Sequence, residues 1–157
     1  MRPSPFVDRA AMTRPLGPDG KPEPQAAREW PARQEPARIL VVEDDFLIAM
    51  QTEAALAAAG FHVIGTAATA EQALELAEKE HPVLAVMDIR LASKRDGIDA
   101  ARELYHELNI RCIFATAHDD ETTRKRAAPY APLGWLAKPY TTASLIALVT
   151  DALGREE

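Results

Sequence analysis

Four places in this 157-residue chain carry side chains of the kinds that chemistry uses: the acidic run Glu43-Asp44-Asp45, then Asp88, Thr116 and Lys138. Each directly follows a short apolar run. These runs are Ile39-Leu40-Val41-Val42, Val83-Leu84-Ala85-Val86-Met87, Cys112-Ile113-Phe114-Ala115 and Leu133-Gly134-Trp135-Leu136-Ala137. If the runs are strands of one parallel sheet, their polar ends meet in one crevice. Carboxylates gathered there repel one another, so either a pKa rises or a cation enters. Oxygen-only ligands suit a hard ion such as Mg²⁺, which takes one or two carboxylates together with waters and phosphate oxygens. An ammonium and a hydroxyl opposite would hold the remaining oxygens of a phosphoryl group. One carboxylate can itself be the nucleophile, giving an aspartyl-phosphate. Alone, Glu43-Asp44-Asp45 reads as a solvated turn and Thr116 as an ordinary β-branched residue. Their joint position at strand ends is what promotes them.

Other candidates are weaker. Gly60 to Thr66 has the glycine spacing of a phosphate-binding loop, but threonine stands in place of the lysine and the segment runs through a strand. No Gly-x-Gly-x-x-Gly occurs. Cys112 is the single cysteine, which excludes a disulfide framework and a cysteine zinc site, and it reads as a small buried hydrophobe. His62, His81, His106 and His118 lack metal-ligand spacing, although His118 lies two residues beyond Thr116. Asp45 suits the cap of a following helix. Arg124-Lys125-Arg126 reads as a solvated helix face.

The elements that must position these residues are legible in the apolar pattern. Arg38–Val42 and its counterparts, with Val63-Ile64 as another, are continuous apolar runs of the kind strands buried on both faces show. Helical periodicity fills the gaps. Leu47, Met50, Ala54 and Ala57 share one face of the first helix, which Gly60 closes. Ala70, Ala73, Leu74 and Ala77 share one face of the second, capped by Thr69. Ile98, Ala101, Leu104, Tyr105 and Leu108 stripe the third. A short helix is expected over Asp119–Ala128, and Leu145, Leu148, Val149 and Ala152 stripe the last. Five strands alternating with five helices predict an α/β domain, a doubly wound parallel sheet with helices on both faces.

Composition agrees. Apolar residues make up 47% and charged residues 27%, a globular mixture. Eight of the twelve prolines fall in residues 1–36, which carry no apolar period. That stretch is expected to be a disordered extension, with the folded domain over 37–157. Residues 37–157 are net −7, a poor balance for direct nucleic-acid binding. No apolar run reaches transmembrane length, and Met1–Asp8 lacks a signal-peptide core. A cytoplasmic protein is expected.

The run Ile39–Asp45, then Val86-Met87-Asp88-Ile89-Arg90-Leu91, Ala115-Thr116-Ala117 and Lys138-Pro139-Tyr140 resembles the receiver domain of two-component response regulators, over about residues 37–154. The resemblance implies a flavodoxin-like sheet of strand order 2-1-3-4-5. It implies Asp88 as phosphoacceptor, Glu43 and Asp44 as the pair that binds Mg²⁺, and the backbone carbonyl of Arg90 as a further metal ligand. It also implies Thr116 as switch hydroxyl, Trp135 as the aromatic switch position, Lys138 as partner of the phosphoryl group, a turn at Asp96-Gly97, and a cis Lys138–Pro139 peptide. Phe114-Ala115-Thr116 with Lys138-Pro139-Tyr140 is similar to an alphaproteobacterial branch of stand-alone receivers, although Ala117 stands where that branch has glycine. Ala131-Pro132-Leu133-Gly134 departs from the family's usual Gly-Ala before strand five.

The expected partner is a histidine kinase or histidine phosphotransfer protein, with an unknown downstream protein and no membrane. The protein would act as a monomer or a phosphorylation-dependent dimer, a phosphoacceptor rather than an enzyme. With no segment after Glu157, a single-domain regulator is expected. A phosphate sink, a phosphorelay intermediate and an unphosphorylated interaction module are the alternatives. A haloacid dehalogenase-type phosphatase would need an acid where Arg90 stands.

Overall fold

The computed structural model describes residues 18–21, 35–117 and 119–156. Most of the expected extension and His118 lie outside the described residues. Pro36–Glu157 forms one compact unit and is described by itself.

Its strands are β1 (Arg38–Val42), β2 (His62–Ala67), β3 (Leu84–Asp88), β4 (Arg111–Thr116) and β5 (Gly134–Ala137). They alternate with helices α1 (Phe46–Ala58), α2 (Ala70–Glu80), α3 (Gly97–Leu108), α4 (Glu121–Ala127) and α5 (Thr142–Glu156). All pairings are parallel and the sheet order is β2-β1-β3-β4-β5, as expected. A single 3-10 turn, Ala128–Tyr130, continues the short α4.

Strand side chains alternate between faces, and that alternation sorts the core into two layers. Leu40, Val42, Ala85, Met87, Cys112 and Phe114 pack on one face with residues of α2 and α3. Ile39, Val41, Leu84, Val86, Ile113 and Ala115 pack on the other with α1 and α5. Burial pushes the Cys112 thiol up to about 12, so it stays a neutral core group.

The stripes of α2, α3 and α5 face inward: Ala70, Ala73 and Ala77, then Ile98, Ala101 and Leu104, then Leu145, Val149 and Ala152 are buried. The expected stripe of α1 does not. Leu47 and Met50 are 65% and 51% exposed, Ala54 and Ala57 are also exposed, and the helix instead buries Ala49, Thr52 and Leu56. Its sequence, FLIAMQTEAALAA, is apolar on nearly every side, so periodicity alone does not select a face. The inward position of Thr52 follows from a partner supplied by the distant β5–α5 loop.

Caps stop and start the helices where the site needs them. Asp45 accepts from the N–H groups of Leu47 and Ile48 at 2.9 and 3.1 Å, Thr69 caps α2, and Asp96 caps α3 in a reciprocal box with Asp99. Gly60, at φ +95°, closes α1. Ala131 takes φ +49°, a left-handed conformation, just before β5 and within the stretch that departs from the family's Gly-Ala.

Candidate functional site

The carboxyl ends of β1, β3, β4 and β5 bring the polar residues together. The Glu43 N–H donates to the Ala67 carbonyl at 2.8 Å and the Lys138 N–H to the Thr116 carbonyl at 2.9 Å, so neighbouring strands hold both residues. Glu43, Asp88 and Thr116 are buried, whereas Asp44 is exposed. Each of Glu43, Asp44 and Asp88 offers a carboxylate oxygen within 4.8 Å of the others. The Lys138 ammonium donates to Glu43 Oε1 at 2.5 Å and to Asp88 Oδ2 at 3.1 Å. Beside them a cavity of about 110 Å³ is lined by Asp88, Arg90, Thr116, Ala117 and Lys138.

Three carboxylates thus cluster beside one ammonium, and the crowding shows in the proton affinities of Glu43 and Asp44. Burial first, and then Asp88, hold the Glu43 carboxyl above its ordinary range, with Lys138 pulling the other way. Burial and the neighbouring Glu43 likewise raise Asp44. Burial works against the Lys138 ammonium, but its bonds and charge contacts with Glu43 and Asp88 outweigh this and raise its pKa. An all-oxygen donor set with surplus negative charge fits a hard divalent cation and no soft one. The cavity beside Asp88 has room and a cationic wall for a small tetrahedral anion.

Asp45 stands apart from this cluster. It caps α1, and its N–H donates to Glu43 Oε2 at 3.1 Å, which orients the glutamate. Arg90 reaches the cavity wall as an exposed residue. Trp135 is half-buried, stacked on Phe114 with centroids 4.9 Å apart. The Arg124 guanidinium lies 5.0 Å above the Trp135 ring and binds Asp119 through two contacts of 2.6 and 2.7 Å. Those contacts hold the Asp119 carboxyl below its ordinary range.

Arg124, Lys125 and Arg126 form an exposed helix face, as expected, on which the two arginines make surface ion pairs. Acidic groups of adjoining loops lie opposite them, and Arg126 clasps Asp96 at 2.6 and 2.9 Å. The Lys138–Pro139 peptide is cis. Sequence reasoning passed over Thr52, a lone hydroxyl on an apolar helix, which meets the Tyr140 hydroxyl at 2.7 Å. Flanked by Gln51 and Glu53, it gave no local signal of an inward position.

Comparison with known proteins adds the family context. Residues 39–150 match the response regulator receiver domain. The chain is 33% identical over 120 residues to the transcriptional regulatory protein PdtaR of Mycobacterium tuberculosis, covering 76% of this chain and 58% of that one. It is 36% identical over 131 residues to the phyllosphere-induced regulator PhyR of Methylorubrum extorquens, covering 82% and 48%. The chain therefore spans about half the length of these curated relatives. Among solved structures, the signal receiver domain of a modulated diguanylate cyclase from Desulfovibrio desulfuricans G20 superposes with a TM-score of 0.71 at 32% identity, covering 76% of this chain and 95% of that one. The response regulator PhyR from Brucella abortus gives 0.66 at 35%, covering 79% and 50%.

Proposed function

The chain belongs to the response regulator receiver domain family, and on that premise we propose that it takes a phosphoryl group onto Asp88 from a phosphohistidine and signals through the resulting change of shape. The observation that carries this reading is the contact of Lys138 with Asp88 at 3.1 Å, within an acidic cluster of Glu43, Asp44 and Asp88 and beside a cavity of phosphoryl size.

Receiver domains are phosphoacceptor signalling domains that bind Mg²⁺ at an acidic pocket. In this chain Glu43, Asp44 and Asp88, with the Arg90 carbonyl, would hold the ion, which when bound neutralises charge on the transferring group. An Asp88 oxygen attacks phosphorus, its new P–O bond forming as the P–N bond of the phosphohistidine breaks and the imidazole leaves. Lys138, released from Glu43, holds one phosphoryl oxygen, and Thr116 donates its hydroxyl to another. Those contacts exist only after transfer, so they shift the population toward a second conformation in which Thr116 and Trp135 move together.

The donor is a histidine kinase or histidine phosphotransfer protein, and the recipient of the signal is a protein rather than a nucleic acid. Residues 1–36 form an extension and 37–157 the receiver, working in the cytoplasm. Among the described residues, no helix is long and apolar enough to cross a membrane.

Mass spectrometry after exposure to acetyl phosphate and Mg²⁺ tests the reading. A transient phospho-adduct at Asp88, lost in Asp88→Asn, supports it. Continuous release of phosphate without an adduct points to a phosphatase, and neither result points to an interaction module; both overturn it.

A further inference from the structure

We propose that Thr52 and Tyr140 are positioning residues for Lys138, a clasp between α1 and the β5–α5 loop that sets where the lysine ammonium stands. The proposal rests on the phosphoacceptor reading of the site. Two segments meet here, and each carries site residues at one point and a hydroxyl at another. The first runs from Glu43 and Asp44 through the capping Asp45 into α1, and it buries Thr52 two turns later, 3% exposed. The second runs from Lys138 to Tyr140, just after β5. Lys138 and Glu43 form one tie between them. The 2.7 Å contact of the Thr52 and Tyr140 hydroxyls, 88 residues apart, forms the other.

One tie leaves a loop free to pivot, whereas two define its position. The space around the second tie makes it matter. A cavity of about 380 Å³ lies between α1 and the start of α5, lined by Ile48, Thr52, Ala55, Ala117, Tyr140 and Leu145. The Tyr140 ring packs against the core on one side but borders this open space on the other. Packing alone therefore does not enclose it, and the hydroxyl pair adds a directional contact at the cavity wall.

The choice of residue points the same way. Valine has nearly the shape of threonine and would suit the apolar wall between Ala49 and Leu56. A buried hydroxyl in its place is penalised unless it is bonded, and adds little net stability when it is. What the hydroxyl provides is a directional contact with one partner. Burial raises the Tyr140 phenol above its ordinary range, so it remains neutral and able to share a proton with Thr52.

The test uses the full chain with four variants: Thr52→Val, Tyr140→Phe, Thr52→Ser and the double Thr52→Val/Tyr140→Phe. The readouts are the rate of Asp88 phosphorylation by acetyl phosphate at saturating Mg²⁺, the Mg²⁺ affinity, and the ¹⁵N ammonium resonance of Lys138 without phosphodonor. Thr52→Val and Tyr140→Phe should each slow phosphorylation by about threefold to tenfold and shift the Lys138 resonance, because misplacement of a positioned group lowers rate. Mg²⁺ affinity should stay within about twofold, since every carboxylate remains. Thr52→Ser keeps the hydroxyl and should match the parent. The double variant should be no slower than the slower single, the mark of one shared contact.

Parent-like rates and an unmoved Lys138 resonance in Tyr140→Phe would overturn the clasp while leaving the phosphoacceptor reading intact. So would a Thr52→Ser variant as slow as Thr52→Val. A parent that takes no phosphoryl group overturns the reading of the site, and the clasp's role in that chemistry falls with it.

Discussion

Gly97 lies against the backbone of Asp88: a Cβ built on Gly97 would stand 1.9 Å from the Asp88 carbonyl oxygen, and the Gly97 N–H donates to the Ile89 carbonyl at 2.6 Å. No side chain fits between them, so the first residue of α3 is seated directly on the strand end that presents the Asp88 carboxylate. Here glycine is required by space, and the Asp96 cap fixes the helix to it from the preceding position.

Gly97→Ala should therefore displace either α3 or the end of β3. Overpacking against backbone has no side chain to yield, so a loss of about 1–3 kcal/mol is expected. Phosphorylation of Asp88 should fall with it. Thermal denaturation and the acetyl phosphate rate check both, and a variant with parent-like melting and rate would show that the strand end adapts freely.

Asp44→Ala should weaken Mg²⁺ binding by at least about tenfold, equivalent to about 1.4 kcal/mol, because it removes one of three clustered carboxylates. Without Mg²⁺ the melting temperature should hold or rise, since Asp44 and Glu43 repel each other. Calorimetric titration with Mg²⁺ decides: an unchanged affinity would remove Asp44 from the ligand set.

Asp96 gives an acid-dependent contribution to stability. Burial opposes its ionisation, but the hydrogen bonds and charge of Arg126 and the bonds of Asp99 outweigh that and lower its pKa. A lowered folded value means the contribution is fully present above the unfolded value, about 4. It disappears as pH falls through the folded value. At pH 7, Asp96→Ala should cost about 1 kcal/mol through loss of the cap. Arg126→Ala should cost about 0.5 kcal/mol, because the pair is partly exposed. Urea melts at neutral and strongly acidic pH should show the Arg126→Ala deficit shrinking in acid; a deficit constant with pH would exclude the ion pair as its source.

Ala131 sits at φ +49° and ψ +58°, where its Cβ crowds the following carbonyl. Ala131→Gly removes that clash and should stabilise the domain by about 0.5–1 kcal/mol, less the greater freedom of glycine in the unfolded chain. Chemical denaturation measures it. A destabilised variant would mean that the methyl group packs more favourably than its backbone is strained.

Trp135 should report the switch. Its ring is held between Phe114 and Arg124, and Arg124 is tied to Asp119 in the loop that follows Thr116. Movement of that loop toward a phosphoryl group alters both ring contacts. In full-length Trp30→Phe protein, Trp135 is the sole tryptophan, so its emission reads this environment directly. Mg²⁺ with beryllofluoride should change intensity or wavelength, and Asp88→Asn should abolish the change. An unaltered spectrum with beryllofluoride bound would make Trp135 a fixed core residue.

Much of this arrangement is local and was therefore legible in the chain itself. Continuous apolar runs such as Ile39–Val42 and Leu84–Met87 mark strands buried on both faces, and period-3.6 stripes such as Ile98, Ala101 and Leu104 mark the helices between them. A parallel sheet then places Glu43, Asp44, Asp88, Thr116 and Lys138 at one end, because strands that all run the same way have their carboxyl ends together. Caps such as Asp45 and Thr69 act over three residues and are visible in the same way.

Contacts between residues distant in sequence were decided only by the tertiary structure. The face of α1 is the plainest case, for a helix apolar on nearly all sides has no preferred stripe. Thr52 turns inward because Tyr140, 88 residues later, meets its hydroxyl. The exposed Arg126 has a fixed partner because Asp96, 30 residues earlier, lies opposite it. Gly97 owes its place to the Asp88 carbonyl, which no local pattern reveals. Periodicity is a property of one segment, whereas hydroxyl pairs, ion pairs and close backbone approach belong to the space between segments. That space exists only once the sheet and both helical layers have assembled.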